Sequence, residues 1–420
     1  MNYPNYIKQF SYLIIFFPLF LVTGPFLPDL IIVCSSVLIF FVRDYYFQNF
    51  LKYRKLIIYF LIFLLVLILS SFNGSNTIYS LKSSFPYLRF FLFILFLIFL
   101  FDRYKNTISK IYNFIFYLLL FLSIDALFQY FTGTNFLGIK QDGRLSGLFG
   151  NEWVLGSFLT KFYGLYFCLN FIEDKKYNFF SKKNIIKQSF LFFLIYLVVI
   201  LTQERSAFFT LNLFLLTFFL FRINRNHFSF VIIIGIFLIN FLFFNFNESY
   251  KKRFFVSVKD QIEINHSNQN FLLKDYSGFF KTSISIFKSS PYLGTGVRTF
   301  RIECKKYNNI YKNNCSTHPH NYFFEILSET GLTGLLMLFF IYLYFAKHFL
   351  MHSLKIYKSG NNGVLCLNLL ILVLFQPFIT TGSFFNNWNS AINSFIIAIA
   401  IYSNYNFKET QNKSLQKLNK

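Results

Sequence analysis

Charge is what this chain has least of. Only 14% of its 420 residues are Asp, Glu, Lys or Arg, against roughly 25% in an ordinary soluble domain. A fully water-soluble globular protein is excluded. Acidic residues are the scarcest, 17 against 40 basic ones, for a formal charge of +23. No internal repeat is visible, which argues against inverted-repeat transporter folds. Nor is there a polar stretch long enough for a soluble domain, apart from one loop. In abundance are apolar residues (55%) and aromatics (23%, with 67 Phe). That composition excludes disorder. A charge of +23 would ordinarily raise nucleic acid as a partner, but the basic residues sit between apolar runs. The chain reads as an integral membrane protein with no nucleic-acid partner.

About twelve apolar runs approach the ~20 residues that a helix needs to cross a hydrocarbon core. They lie near 10–23, 29–42, 56–71, 84–101, 110–131, 153–172, 187–202, 206–221, 228–246, 332–349, 364–382 and 388–405. Their length predicts helices and not barrel strands, which show only ~10-residue alternating segments. An all-α polytopic fold follows. It divides into spans one to nine over 1–246, a large outer loop over 247–331, spans ten to twelve over 332–405 and a basic tail over 406–420.

Lys and Arg collect in cytoplasmic loops, and short loops carry that signal best. Placing both termini in the cytoplasm puts Arg43, Lys52, Arg54, Lys55, Arg103, Lys105, Lys110 and the Lys175–Lys187 group inside, with Arg222 and Arg225. The short outer loops then keep only Lys82, Lys140, Arg144 and Arg205. The large loop holds more, but long loops are exempt from the rule. Cys34, Cys168 and Cys366 fall in spans. Cys304 and Cys315 share the outer loop, where an oxidising compartment would join them; free thiols are the alternative.

Four polar clusters interrupt the apolar pattern, all on the outer side: Gln141–Gly147 running to Glu152, Gln203–Ser206, Ser290–Arg298, and Thr317–Asn321 with Glu325, Glu329, Gly331 and Gly334. Arginine in a short outer loop opposes topology, and its planar five-donor fork suits phosphate. Arg144 and Arg205 are therefore candidate anion ligands; snorkelling to lipid headgroups is the plain alternative. Gly294 and Gly296 either offer backbone N–H groups to an anion or make a turn. His318 and His320 flank a proline, so an extended segment with diverging rings is expected. A His-x-His pair suggests zinc, but no third ligand follows at metal spacing, and no metal is assigned. A general base near neutral pH is the remaining role for His320.

At this fourth cluster the chain resembles the O-antigen ligase superfamily, which also contains O-antigen polymerases and O-linked oligosaccharyltransferases. Its ligases carry a histidine, then Asn, Ser or Gln, nine residues, Gly, two residues, and Gly, Thr or Tyr. His320-Asn321, nine residues, Gly331, two residues and Gly334 fit that pattern throughout. Arg144 to Gly156, Glu204-Arg205-Ser206-Ala207 and Pro291–Gly296 are similar to further stretches, so the likeness runs from about 140 to 345. Val297-Arg298 departs from the small or polar residues usual there, which weakens the transfer to Arg298.

The resemblance implies a GT-C-type glycosyltransferase of the bacterial inner membrane, active at its periplasmic face and without cofactor. The donor would be a glycan on undecaprenyl diphosphate and the acceptor a lipid A–core sugar, with membrane lipids around both. His320 would be the catalytic base; Arg144 and Arg205 would stabilise the departing diphosphate. Arg298, Glu325, His318 and Asn321 would contact substrate. A polymerase would differ only in acceptor. A lipid-glycan transporter is the reading from another class, and it would need ionisable residues near mid-membrane. Arg89, Asp125 and Lys161 are the candidates for that, with a structural Lys161–Asp125 bridge between spans five and six as an alternative.

Overall fold

The computed structural model describes residues 4–74, 76–177, 182–221, 227–256, 276–307, 310, 315–359 and 362–418. Arg222 and Arg225 and the 257–275 part of the large loop lie outside the described residues. Among those described there is no strand; one isolated bridge pairs Thr134 with Lys140. Helix covers all or part of each of the twelve apolar runs, yet among the described residues five helices are both long and apolar enough to cross a membrane: Phe26–Gln48, Phe50–Asn73, Thr77–Arg103, Asn106–Thr132 and Tyr322–Ser353. A sixth is a pair bent by 106°, Ile233–Phe246 with Glu248–Val256. Ile186–Leu201, Arg205–Phe221 and Asn362–Leu374 are apolar but shorter. This is a multi-pass, all-helical membrane protein.

Packing centres on two helices. Leu88–Arg103 lies between Phe26–Leu38 and Asn387–Leu418, and its Phe93, Phe96, Phe99 and Phe101 are fully buried. Leu155–Tyr177 packs on Asn106–Thr132, Arg205–Phe221 and Asn362–Leu374. Lipid supplies no hydrophobic drive between helices, so close packing and side-chain hydrogen bonds hold such bundles. Asn368 and Asn404 illustrate this by exchanging amide bonds of 2.8 and 3.0 Å between two helices.

Two expectations need correction. The run read as one span over 364–382 stops as helix at Leu374. Pro377 lacks an N–H and disfavours helical backbone at the residue before it, so 375–386 is irregular. Lys161 and Asp125 do not pair: Lys161 Nζ donates to Asn389 Oδ1 at 3.1 Å, and Asp125 Oδ1 accepts from the Phe136 N–H at 2.8 Å. Arg89 has its own acid, Asp29, at 3.4 Å.

Candidate functional site

Each polar cluster is fastened by buried side-chain hydrogen bonds to backbone. Gln129, near the end of its helix, accepts from the N–H groups of Ser146 and Gly147 at 3.2 and 2.7 Å. That holds the loop carrying Arg144, whose guanidinium lies 5.0 Å from the Trp153 ring. Arg205 is placed through its neighbour. Glu204 is buried and accepts from the Gly156 and Ser157 N–H groups at 2.7 and 3.0 Å and from Ser157 Oγ at 2.7 Å. Those amides open the Leu155–Tyr177 helix, where a carboxylate meets the positive end of the dipole. Burial still pushes the Glu204 carboxyl above its ordinary range, against those hydrogen bonds. Glu204 thus ties the second cluster to the start of the helix that follows the first.

The histidine segment is anchored from both sides. Asn321 caps the helix that begins at Tyr322: its Oδ1 accepts from Phe323 and Phe324 N–H at 2.9 and 3.4 Å, and its Nδ2 donates to the Pro377 carbonyl at 2.7 Å. Buried Glu325 accepts from Ser383 Oγ and from the Phe384 N–H at 2.7 Å. Both residues were expected to touch substrate; the structure places them behind the site, tying the histidine helix to 377–384.

His320 has φ 57°, a left-handed conformation rare outside glycine. This overturns the extended, diverging geometry expected of His-Pro-His. The chain folds back, and the His318 and His320 rings lie 4.2 Å apart. Tyr276 and Phe279 close on His320 at 5.6 and 5.3 Å. Burial lowers the proton affinity of His320, and burial with the neighbouring His320 lowers that of His318 to about 4. Both rings are therefore neutral at pH 7. A base of this kind loses activity only when acid protonates it, so kcat/KM should fall with a midpoint below pH 6.5, the ordinary histidine value. A pH profile with its acid limb at or above 6.5 would contradict that surrounding.

The two glycine motifs turn out to be partners. The Tyr322–Ser359 helix is broken at Gly331, φ 64° and ψ −161°, which frees carbonyls before the break and N–H groups after it. The Pro291–Gly296 loop meets four of them. Thr295 and Gly296 N–H donate to the Ser328 and Glu329 carbonyls at 3.2 and 2.8 Å, while Leu332 and Thr333 N–H donate to Pro291 and Tyr292 at 2.8 and 3.2 Å. The loop is a structural turn, and the Gly296 N–H is already bonded. Glu329 completes the joint with its carboxylate, accepting from Arg298 N–H at 2.6 Å and Phe300 N–H at 3.1 Å. Arg298 has φ 61° and Gln203 φ 55°; with His320 these are the positive-φ residues other than glycine among those described. Strained backbone gathers where function needs a fixed geometry, and each of the three lies in a different polar cluster. Cys304 and Cys315 are bonded, Cα atoms 5.1 Å apart, beside Phe300 and Ile286. Such a short ring stabilises by roughly 2–3 kcal/mol in the chain-entropy model. Alkylation of protein purified without reductant should leave both unmodified until reduction; labelling of both beforehand would remove the brace.

All four clusters open onto one cavity of about 1260 Å³. Arg144, Arg205, Arg298, His318 and His320 line it; Asn321 and Glu325 do not. Sequence reasoning missed Arg253 and Arg301, which also line it, and had offered Lys161, a further lining residue, only for a transporter or a structural bridge. Arg253 stands close enough to Arg144 and Arg205 to feel their charge. Exempting the long loop from the charge rule hid Arg253 and Arg301, although Arg298 and Arg301 sit at a helical i, i+3 spacing. Against these six cations the lining has two acids, Glu152 and Glu204, and Glu204 is bonded to helix amides. The lining is thus strongly cationic, with the His318 and His320 imidazoles beside it. Among the described residues no group of three His, Cys, Asp or Glu is placed to hold a metal.

No curated protein matches the chain. A family model described as O-antigen ligase matches residues 190–339, about a third of the chain, spanning the Glu204-Arg205 turn, the Pro291–Gly296 loop and His320 through Gly334. Over that stretch the chain is similar to the O-antigen ligase family, whose members are membrane glycosyltransferase-like ligases and polymerases.

Proposed function

We propose that the protein transfers a glycan from undecaprenyl diphosphate to a lipid A–core sugar at the periplasmic face of the inner membrane, as a GT-C-type ligase. The observation that carries the reading is the meeting of five arginines and a neutral histidine pair around one cavity. His320 removes the proton from the acceptor hydroxyl as its oxygen attacks the anomeric carbon. The bond from that carbon to the phosphate oxygen breaks on the opposite side, inverting the centre and releasing the lipid diphosphate. Its growing negative charge is met by Arg144 and Arg205, with Arg253, Arg298 and Arg301 alongside; fixed donors of this kind are worth most where charge develops. No step needs a metal.

Reconstitution in vesicles with lipid-linked glycan tests the reading. Transfer to lipid A–core supports it, transfer to a second lipid-linked repeat makes the protein a polymerase, and bilayer crossing without transfer makes it a transporter. Arg144→Lys and Arg205→Lys keep the charge but lose the fork. Each should lower turnover about 10- to 100-fold, the worth of one hydrogen bond to a charged group. Full activity in both would reduce these arginines to lipid contacts.

A further inference from the structure

One wall of the cavity has no role in the chemistry above. Residues 376–389 contain no Asp, Glu, Lys or Arg, whereas the five cavity arginines all lie elsewhere on the lining. This stretch includes the irregular backbone that replaces the expected helix. It is firmly held: the Thr381 N–H donates to the His320 carbonyl at 2.9 Å, and Asn321 and Glu325 bind Pro377 and Phe384. Gln376 Oε1 accepts from the Phe378 N–H at 2.6 Å, fixing the residue that stands out most. Phe378 lines the cavity while 87% exposed. Thr381 Oγ1 is buried, with no hydrogen-bond partner among the described residues. An exposed ring beside neutral hydroxyls and amides fits a sugar, whose C–H face packs on an aromatic and whose hydroxyls both donate and accept.

Position decides which sugar. A base must come within about 2.6–3.2 Å of the oxygen it deprotonates; the Thr381 backbone is bonded to the His320 carbonyl, and both residues line the same cavity. The ring bearing the attacking hydroxyl therefore rests on 378–383, while the diphosphate lies among the arginines. We propose that Phe378 and Thr381 form the subsite for an uncharged pyranose of the acceptor. The assignment to the acceptor rests on the glycosyl-transfer reading.

Binding can be measured without a donor. Purified protein in nanodiscs is titrated with the methyl glycosides of glucose, galactose and N-acetylglucosamine, followed by saturation-transfer NMR. At least one should bind. Phe378→Leu and Thr381→Val should weaken it about 3- to 10-fold, the usual worth of a ring contact, while Phe378→Trp retains it. Because Phe378 is exposed, its replacement leaves no core void, and the leucine would satisfy a ring that merely faces lipid. In the transfer assay the same two variants should raise acceptor KM and leave donor KM unchanged. The proposal is overturned if no glycoside binds the wild type, if Phe378→Leu binds as well as wild type, or if donor KM rises instead. Glycoside binding through Phe378 in a protein that transfers no lipid-linked glycan would leave the sugar subsite standing and remove the functional reading.

Discussion

Replacing His320 with alanine should lower transfer by about 10²- to 10⁴-fold, the span of a lost general base, with the protein still folded in the membrane. The ring lies on the cavity lining, held by Tyr276, Phe279 and His318, and burial lowers its proton affinity. Its backbone has φ 57°, which alanine tolerates poorly. His320→Asn is the matching control, because asparagine enters the left-handed region more readily while supplying no base. Both variants should be inactive at normal abundance. His318→Ala should cost less, since that ring lies against His320 and removes no proton itself. Near wild-type turnover in His320→Asn would end the assignment of the base.

Gly331→Ala should act on folding and not on chemistry. A Cβ there would stand 2.5 Å from the Tyr292 carbonyl and 2.7 Å from the Gly294 nitrogen, backbone atoms that cannot rotate away. The positive φ adds about 1–2 kcal/mol for any side chain. Parting the loop from the helix also endangers four backbone bonds of about 1 kcal/mol each. The sum, above about 4 kcal/mol, lies in the exceptional range for one substitution. Little monodisperse protein should be recovered, and its Tm should drop sharply. Gly334→Ala offers a graded comparison: its Cβ would meet the Thr330 side chain at 1.8 Å, and that side chain can turn aside by giving up its bond to Ile326. A Gly331→Ala protein melting with the wild type would show that the joint carries no weight.

Much of the site was legible because membrane proteins make polar residues conspicuous. Arg144 and Arg205 stood out by opposing topology, and His320 by its spacing to two glycines; the structure brings all three to one cavity. Arg253 and Arg301 were hidden because charge in a long loop carries no topological meaning. Asn321 and Glu325 were seen, but composition does not say whether a polar side chain faces ligand or backbone; theirs bond to Pro377 and Phe384. The helices were read from hydropathy, which counts apolar residues without seeing turns. It carried the eleventh run across Pro377 and treated 322–330 as loop, although Asn321 followed by Glu325 marks a helix start. The fold back at His320 had no signal at all, since the neighbours of a proline usually extend.

The joint at Gly331 also constrains how the chain reaches its place. A bilayer offers nothing to unpaired peptide groups, so a helix entering lipid normally brings its hydrogen bonds with it. This one cannot. Four of its groups are completed by Pro291–Gly296, a loop synthesised earlier and joined to the helix only after the chain has doubled back. The loop must be on hand before those groups can pair, which sets an order of assembly: first the loop, then the helix closing onto it.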